Sequence, residues 1–364
     1  MQISVIIASY NHGLYIKEAI NSVLTQTYQN FEIIIIDDGS SDNSVEVIKS
    51  IQDARIKFFE FSKNEGACKA TNYAIQKAKG KYIAIMNSDD VWVNSKLEKQ
   101  VNYLEKHKNI DAVFSSAEFL NQNLDSFSLR MRPAFFNIFN QKNRSSAEWL
   151  NHFFYNGNCL CHPSILIKKD CYSQLGLYNN IFRQLPDFDM WIRFCKQFTL
   201  HIMQEKLVKF RILNNNENAS APSVENQIRG RNEHHLIMIN FFDGMSIADF
   251  KKGFYKHLKN PDFKSDAEFE IEKAFLYLKT MHCIIGIEKL HYFLVRKEYI
   301  KILNEKYNFG DKEFQQISAT NNSFNIQSDN DIINALIVIF RYSKLKLLKL
   351  IVGKIYSKLK SSLK

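Results

Sequence analysis

The run Phe31-Glu32-Ile33-Ile34-Ile35-Ile36, halted by Asp37-Asp38-Gly39-Ser40, decides how this chain is read. An apolar run without alternation marks a strand buried on both faces, as in a parallel sheet. Working outward, residues 3–8 repeat the pattern and stop at Ser9-Tyr10-Asn11-His12-Gly13. Residues 56–61 and 81–86 are further strands, the latter ended by Asn87-Ser88-Asp89-Asp90. Helical spacing fills the gaps: Ile16, Ala19, Ile20, Val23 and Leu24; then Val45, Val47, Ile48 and Ile51; then 67–79, with Gly80 as its stop. A further helix opens at Ser95, where Glu98 completes a capping-box pattern. Strands separated by helices predict right-handed βαβ units, hence an α/β fold with a doubly wound, mostly parallel sheet. Ligands of such sheets bind beyond the carboxyl ends of the strands. That rule lines up Ser9-Tyr10-Asn11, Asp37-Asp38 and Asp89-Asp90 along one crevice.

Beyond residue 111 the pattern loosens. Residues 112–119 and 164–167 read as strands, 148–154 and 187–198 as helices, and 214–224 as a loop. Helical periodicity then dominates, as over 269–299. The expected organisation is a catalytic-type domain over 1–220, split into a binding half, 1–105, and a second half, 106–220. A helical accessory region, 221–330, and a basic amphipathic tail, 331–364, follow.

The 364 residues carry a formal net charge of +10, which first suggests a nucleic-acid or membrane partner. Residues 331–364 hold eight Lys/Arg against one acid, so the body is close to neutral. No secretory signal is expected at the N-terminus, and no apolar stretch reaches the ~20 residues of a spanning helix. Six cysteines without zinc-type spacing read as reduced, mostly buried thiols and a cytoplasmic setting.

Adjacent carboxylates at a strand exit repel, and a cation relieves the repulsion; oxygen-only ligands at Asp89-Asp90 suit Mg²⁺ or Mn²⁺. Asp37-Asp38 serves equally as turn or as ligand. The turn 9–13, leading into a helix, offers backbone N–H groups to a phosphate. The absence of GxGxxG and GxxxxGK[ST] argues against dinucleotide-binding dehydrogenases and P-loop NTPases.

Taken together, Ser4–Asn11, Asp37–Ser44, Asn64-Glu65-Gly66 with Ala70 and Asn72, and Asn87–Asp90 resemble the family 2 inverting glycosyltransferases of GT-A fold. His162-Pro163-Ser164, Leu175-Gly176 and Pro186–Arg193 resemble that family's acceptor-side segment. The resemblance implies a nucleotide-diphosphate-sugar donor, UDP by default, and transfer of a hexosyl-type sugar to a glycan or lipid-linked hydroxyl. Ala8, Ser9, Tyr10, Asp38, Asn64 and Asp89 would line the nucleotide site. Asp90, with Asp89 as the alternative, would hold a divalent cation. Asp187 would be the catalytic base, with Asp189 next in line. His162, Trp191 and Arg193 are acceptor-side candidates, helix packing being the other reading of Trp191 and Arg193. Two departures stand out: Pro186 precedes Asp187 where the family often has Glu, and Arg211-Ile212-Leu213 replaces its Arg-x-His.

In the tail, Leu345, Leu348, Val352, Ile355 and Leu359 form an apolar stripe flanked by lysines, the pattern of an interfacial helix. That pattern favours an inner-membrane surface over nucleic acid, an ordinary surface helix docked on the protein being the other reading; joined to the family resemblance, it implies assembly of bacterial surface glycan (capsule, O-antigen or lipopolysaccharide). A silent scaffold of the same fold and a sugar-nucleotide pyrophosphorylase are the alternatives.

Overall fold

The computed structural model describes residues 2–128, 135–213 and 223–321; the tail expectation for 331–364 and most of the 214–224 loop lie outside them. The first unit alternates as the sequence predicts: β1 (Ile3–Ser9), α1 (Ile16–Leu24), β2 (Phe31–Asp37), α2 (Ser44–Lys49), β3 (Ile56–Glu60), α3 (Ala67–Lys77) and β4 (Tyr82–Asn87). Then come β5 (Val91–Trp92), α4 (Lys96–Lys106), β6 (Ala112–Leu120), α5 (Ser146–Asn156), β7 (Leu166–Lys168), α6 (Lys169–Leu175), α7 (Pro186–Cys195) and β8 (Leu200–Arg211). One eight-stranded sheet results, in the order β3-β2-β1-β4-β7-β6-β8-β5. β1, β2, β3 and β4 pair in parallel, β7 runs antiparallel to both β4 and β6, and β6 pairs β8 in parallel. The expected α/β sheet is therefore present, and β2 is buried along its whole length.

Local expectations fare unevenly. α3 ends at Lys77 with an extended Ala78, so Gly80 is not its cap. Gly80 is instead pressed against β1, where a Cβ would lie 2.5 Å from the Ser4 nitrogen. Ser95 does precede α4, but its side chain makes no cap; Glu98 accepts from the Thr27 hydroxyl at 2.7 Å. A formed capping box occurs at Ser145–Glu148 on α5. All six cysteines are free, four of them buried.

The compact units divide after Asp262, so the expected boundary at 220 falls inside the first. The reason is packing: α8 (Val224–Ile239) and α9 (Ile247–Phe254) frame an aromatic cluster in which Phe241, Phe242 and Phe254 lie 5.0–5.5 Å from the Phe154 ring. In the second unit, α10 (Asp266–Tyr277), α11 (Cys283–Leu294), α12 (Lys297–Tyr307) and α13 (Asp311–Thr320) surround a small core including Ile271, Phe275, Leu290 and Leu303. The periodicity expected through 269–299 is thus three helices with breaks. Among the described residues no helix is long and apolar enough to cross a membrane.

Candidate active site

β1, β2 and β4 end side by side, with Ser9 opposite Asp37 and Ala8 opposite Asn87, so their exit loops share one edge. Within the first loop, Asn11 takes a left-handed φ of 52°, and its side-chain oxygen accepts from the Ser41 N–H at 2.8 Å. The N–H groups of Asn11, His12 and Gly13 donate to Ser40 Oγ, Ser44 Oγ and Asp42 Oδ2, each at 2.9 Å. Three of the turn's N–H groups are thus engaged within the protein, one of them by the Asp42 carboxylate, where the sequence reading offered them to a phosphate. His12 Nδ1 also lies 2.6 Å from Ser88 Oγ, tying this loop to the Asp89-Asp90 turn.

The two aspartates after β2 divide the roles that the sequence left open. Asp37 makes the turn, accepting from Ser40 N at 2.8 Å and Ser40 Oγ at 2.7 Å. Gly39 sits at φ +72°, where a Cβ would meet Lys63 backbone at 2.5 Å. Asp38 reaches across to the next loop and accepts from Glu65 N at 2.8 Å and Gly66 N at 2.9 Å. Burial pushes its carboxyl up, opposed by those two donors. Asn64, one residue earlier, is exposed, as is Tyr10 at 44%, while Ala8 is half-buried. Ser9 Oγ is buried with no hydrogen-bond partner among the described residues, a polar atom left open at this edge.

Asp90 is 1% exposed and Asp89 7%. Asp90 accepts from Arg211 N at 2.8 Å and Asn87 Nδ2 at 2.9 Å. Burial, then the Asp89 charge beside it, push its carboxyl well above the usual range. Arg211 is the counterweight: 3% exposed, it donates through Nε to the Asp89 carbonyl at 2.6 Å and through Nη2 to Glu18 at 2.6 Å. Its guanidinium also lies 5.0 Å from the Tyr15 ring centroid. No group of three or more His, Cys, Asp or Glu converges as an ion cage among the described residues. Of the residues present, the adjacent Asp89 and Asp90 are the ones that could hold a hard cation, with substrate phosphates as the further oxygen donors it would need.

The acceptor-side candidates gather around α7. Asp187 lies in its first turn, half-buried, accepting from Asn158 Nδ2 at 2.7 Å and Phe188 N at 2.8 Å. Burial pushes its carboxyl up, and the nearby His162 pulls the other way. His162 Nε2 lies 3.0 Å from the Tyr178 hydroxyl, which lies 3.2 Å from that of Tyr172. Asp189 is engaged by Arg193 at 2.8 Å, and Arg193 also holds the Leu175 and Leu177 carbonyls. Trp191 is fully buried, 5.9 Å from His162 centroid to centroid. Arg193 and Trp191 are therefore built into the packing of α7, whereas Asp187 and His162 are near enough for each charge to act on the other.

Two of the contacts that join the halves bear on this region. Trp92 Nε1 donates to the Pro163 carbonyl at 3.0 Å, and Asn72 Nδ2 to the Tyr178 carbonyl at 2.7 Å. Residues 162–163 thus link Trp92, two residues after Asp90, to the neighbourhood of Asp187, on whose charge His162 acts.

The family model described as Glycosyl transferase family 2 matches residues 4–168. An uncharacterized glycosyltransferase of Methanocaldococcus jannaschii is 32% identical over 217 residues, 58% of this chain and 71% of that one. The chain belongs to glycosyl transferase family 2. An uncharacterized glycosyltransferase of Rickettsia typhi is 35% identical over 212 residues, 58% of this chain, which spans just under two thirds (64%) of that relative. The Escherichia coli protein named UDP-Glc:alpha-D-GlcNAc-diphosphoundecaprenol beta-1,3-glucosyltransferase WfaP is 43% identical over 106 residues, 29% of this chain and 42% of that one. Among solved structures, S. aureus TarS 1–349 in complex with UDP-GlcNAc aligns with a TM-score of 0.56 at 13% identity, over 87% of this chain and 89% of that one. That likeness shows a shared GT-A-type fold.

Sequence reasoning missed two parts of this family 2 site. Asn158, which orients Asp187, sits in a Gly-Asn loop with no motif of its own. Arg211 was noted only as the first residue of the segment standing where the family has Arg-x-His, and nothing local tied it to Asp89-Asp90.

Proposed function

We propose that this chain is an inverting glycosyltransferase that moves a sugar from a UDP-sugar to a hydroxyl of a glycan or lipid-linked acceptor. The observation that carries the reading is the pair 162–163, bonded through Pro163 to Trp92, two residues after Asp90, and acting on the Asp187 charge through His162. Displacement at C1 needs charge relief for the departing diphosphate and a base for the incoming hydroxyl. A divalent cation held through Asp89 and Asp90 would supply the first as a Lewis acid. Asp187, its carboxyl raised by burial and its orientation fixed by Asn158, takes the hydroxyl proton as the oxygen attacks C1. A single in-line step inverts the anomeric centre. Ser9, with its open hydroxyl, and the exposed Tyr10 and Asn64 are the nucleotide contacts we favour, alongside Ala8, Asp38 and Asp89. UDP is favoured because the TarS fragment and WfaP carry UDP-sugars in their names.

UDP with Mg²⁺ or Mn²⁺ is expected to stabilise the protein against heat. Ligand at 100-fold its Kd adds about 2.7 kcal/mol. Differential scanning fluorimetry reads this directly; no shift with any nucleotide, with or without metal, favours the silent scaffold.

WfaP's name gives a lipid-diphosphate acceptor, and the striped lysine-rich tail supports work at the cytoplasmic membrane face in surface-glycan assembly. Each Lys or Arg near an anionic surface adds about 1 kcal/mol. Removal of residues 331–364 is therefore expected to abolish sedimentation with phosphatidylglycerol liposomes at low salt. Unchanged sedimentation would remove the tail from the reading.

A further inference from the structure

Glu233, on α8, is 5% exposed, and its carboxylate receives three consecutive backbone N–H groups. Arg183 N donates to Oε1 at 2.8 Å, while Gln184 N and Leu185 N donate to Oε2 at 2.8 and 2.9 Å. These residues form the approach to α7. Leu185 is its N-cap position and has no side chain able to cap, and its carbonyl accepts from Asp189 N at 3.2 Å. Leu185 is thereby held from both sides, two residues before Asp187. On the far side of Asp187, the Phe188 ring stacks on His234 with centroids 5.4 Å apart and planes 14° from parallel. Gln184 Nε2 adds a bond to Asn226 Oδ1 at 3.0 Å. Neighbouring residues of one helix thus grip the chain immediately before and after Asp187.

A carboxylate serves this purpose better than any neutral side chain. Two oxygens carry about four lone-pair sites, enough for three converging donors, and charge strengthens each bond. An amide of the same shape offers one acceptor oxygen and turns an NH₂ group toward N–H donors.

We propose that Glu233 is a positioning residue for the transfer reaction, setting the Asp187 carboxylate through the 183–185 backbone without touching substrate; this rests on the reading of Asp187 as the base. A base displaced by about 1 Å loses on the order of 100-fold in rate. The cost should fall on kcat, because the donor contacts lie on other loops.

The test uses the full chain and UDP release from UDP-GlcNAc or UDP-Glc with water as acceptor. In that reaction the water oxygen bonds to C1, the C1–O bond to the diphosphate breaks, the proton passes to Asp187, and UDP leaves. Glu233→Gln is expected to lower kcat roughly 10- to 100-fold, with the donor KM and UDP affinity within twofold of the parent. The acid limb of its pH profile should move toward the ordinary carboxylate range as Asp187 gains solvent. Glu233→Asp, which keeps the charge, should recover part of the loss. Parent-like kcat and pH profile in Glu233→Gln would overturn the proposal, as would parallel loss of UDP affinity, kcat and melting temperature, which marks a merely structural anchor. Asp187→Asn is run alongside: if it keeps turnover, the base assignment falls, and if it is inactive while Glu233→Gln is normal, only the role of Glu233 falls.

Discussion

Asp187→Asn should lose transfer by about 10²- to 10⁴-fold, the usual contribution of a general base, while UDP binds as before. Asparagine keeps the shape but retains only one of the two bonds, because Asn158 Nδ2 and Phe188 N donate to different oxygens, and it cannot take a proton. Steady-state kinetics with calorimetric UDP binding separates the two effects. Burial raises the Asp187 carboxyl, so in the parent enzyme kcat/KM should climb with pH through a value above the ordinary carboxylate range and then level off. The stability sign is opposite. A raised folded-state pKa favours folding at low pH, and that advantage is lost as pH rises through it. At neutral pH the Asn variant is spared the buried charge but loses one of the two bonds, so a melting temperature measured alongside separates lost activity from unfolding. Near-parental turnover would sink the assignment. Asp189 is a poor substitute, since Arg193 already engages it.

Arg211→Met should destabilise the first unit by about 3–5 kcal/mol, the range for removing one partner of a buried charge arrangement. The methionine fills much of the same volume, so the loss is electrostatic. The Asp89 and Gln122 carbonyls lose their donor, and Asp90 and Asp89 remain adjacent without the buried cation between them and Glu18. Glu18 is half-exposed and can rehydrate; Asp90, at 1% exposure, cannot. UDP affinity should fall with stability because the Asp89-Asp90 turn is held by the same side chain. Arg211→Lys should rescue little, as one ammonium cannot span three separate acceptors. Urea denaturation reads the change; a loss under about 1 kcal/mol would show that Arg211 behaves as an ordinary surface cation.

β1, β2 and β4 were legible because parallel strands buried on both faces leave long apolar runs, as in 31–36, whereas the edge strand β3 is only partly buried. β8 was not read. Gln204-Glu205-Lys206 interrupts it, and its pairing with β6 shifts register beside Ser115, Ser116 and Ala117, so no simple period survives. Ser95 and Glu98 show the opposite failure: the capping letters are present, yet the Thr27 hydroxyl claims the glutamate. Asp187 was found by resemblance alone. Asn158 lies 29 residues and Glu233 46 residues from it in sequence, and nothing local links them.

What the sequence determined by itself is the order of strands and helices over the first hundred residues, the family, and which carboxylates stand at strand exits. Those follow from short-range periodicity and from residues that must be neighbours in the chain. Only the tertiary structure decided how the carboxylates divide their work: Asp37 as turn, Asp38 as bracket, Asp90 buried against Arg211, Asp189 spent on Arg193, and Asp187 oriented by Asn158. Adjacent aspartates are chemically equivalent in a sequence. Burial and the donors that reach them from distant segments make them different.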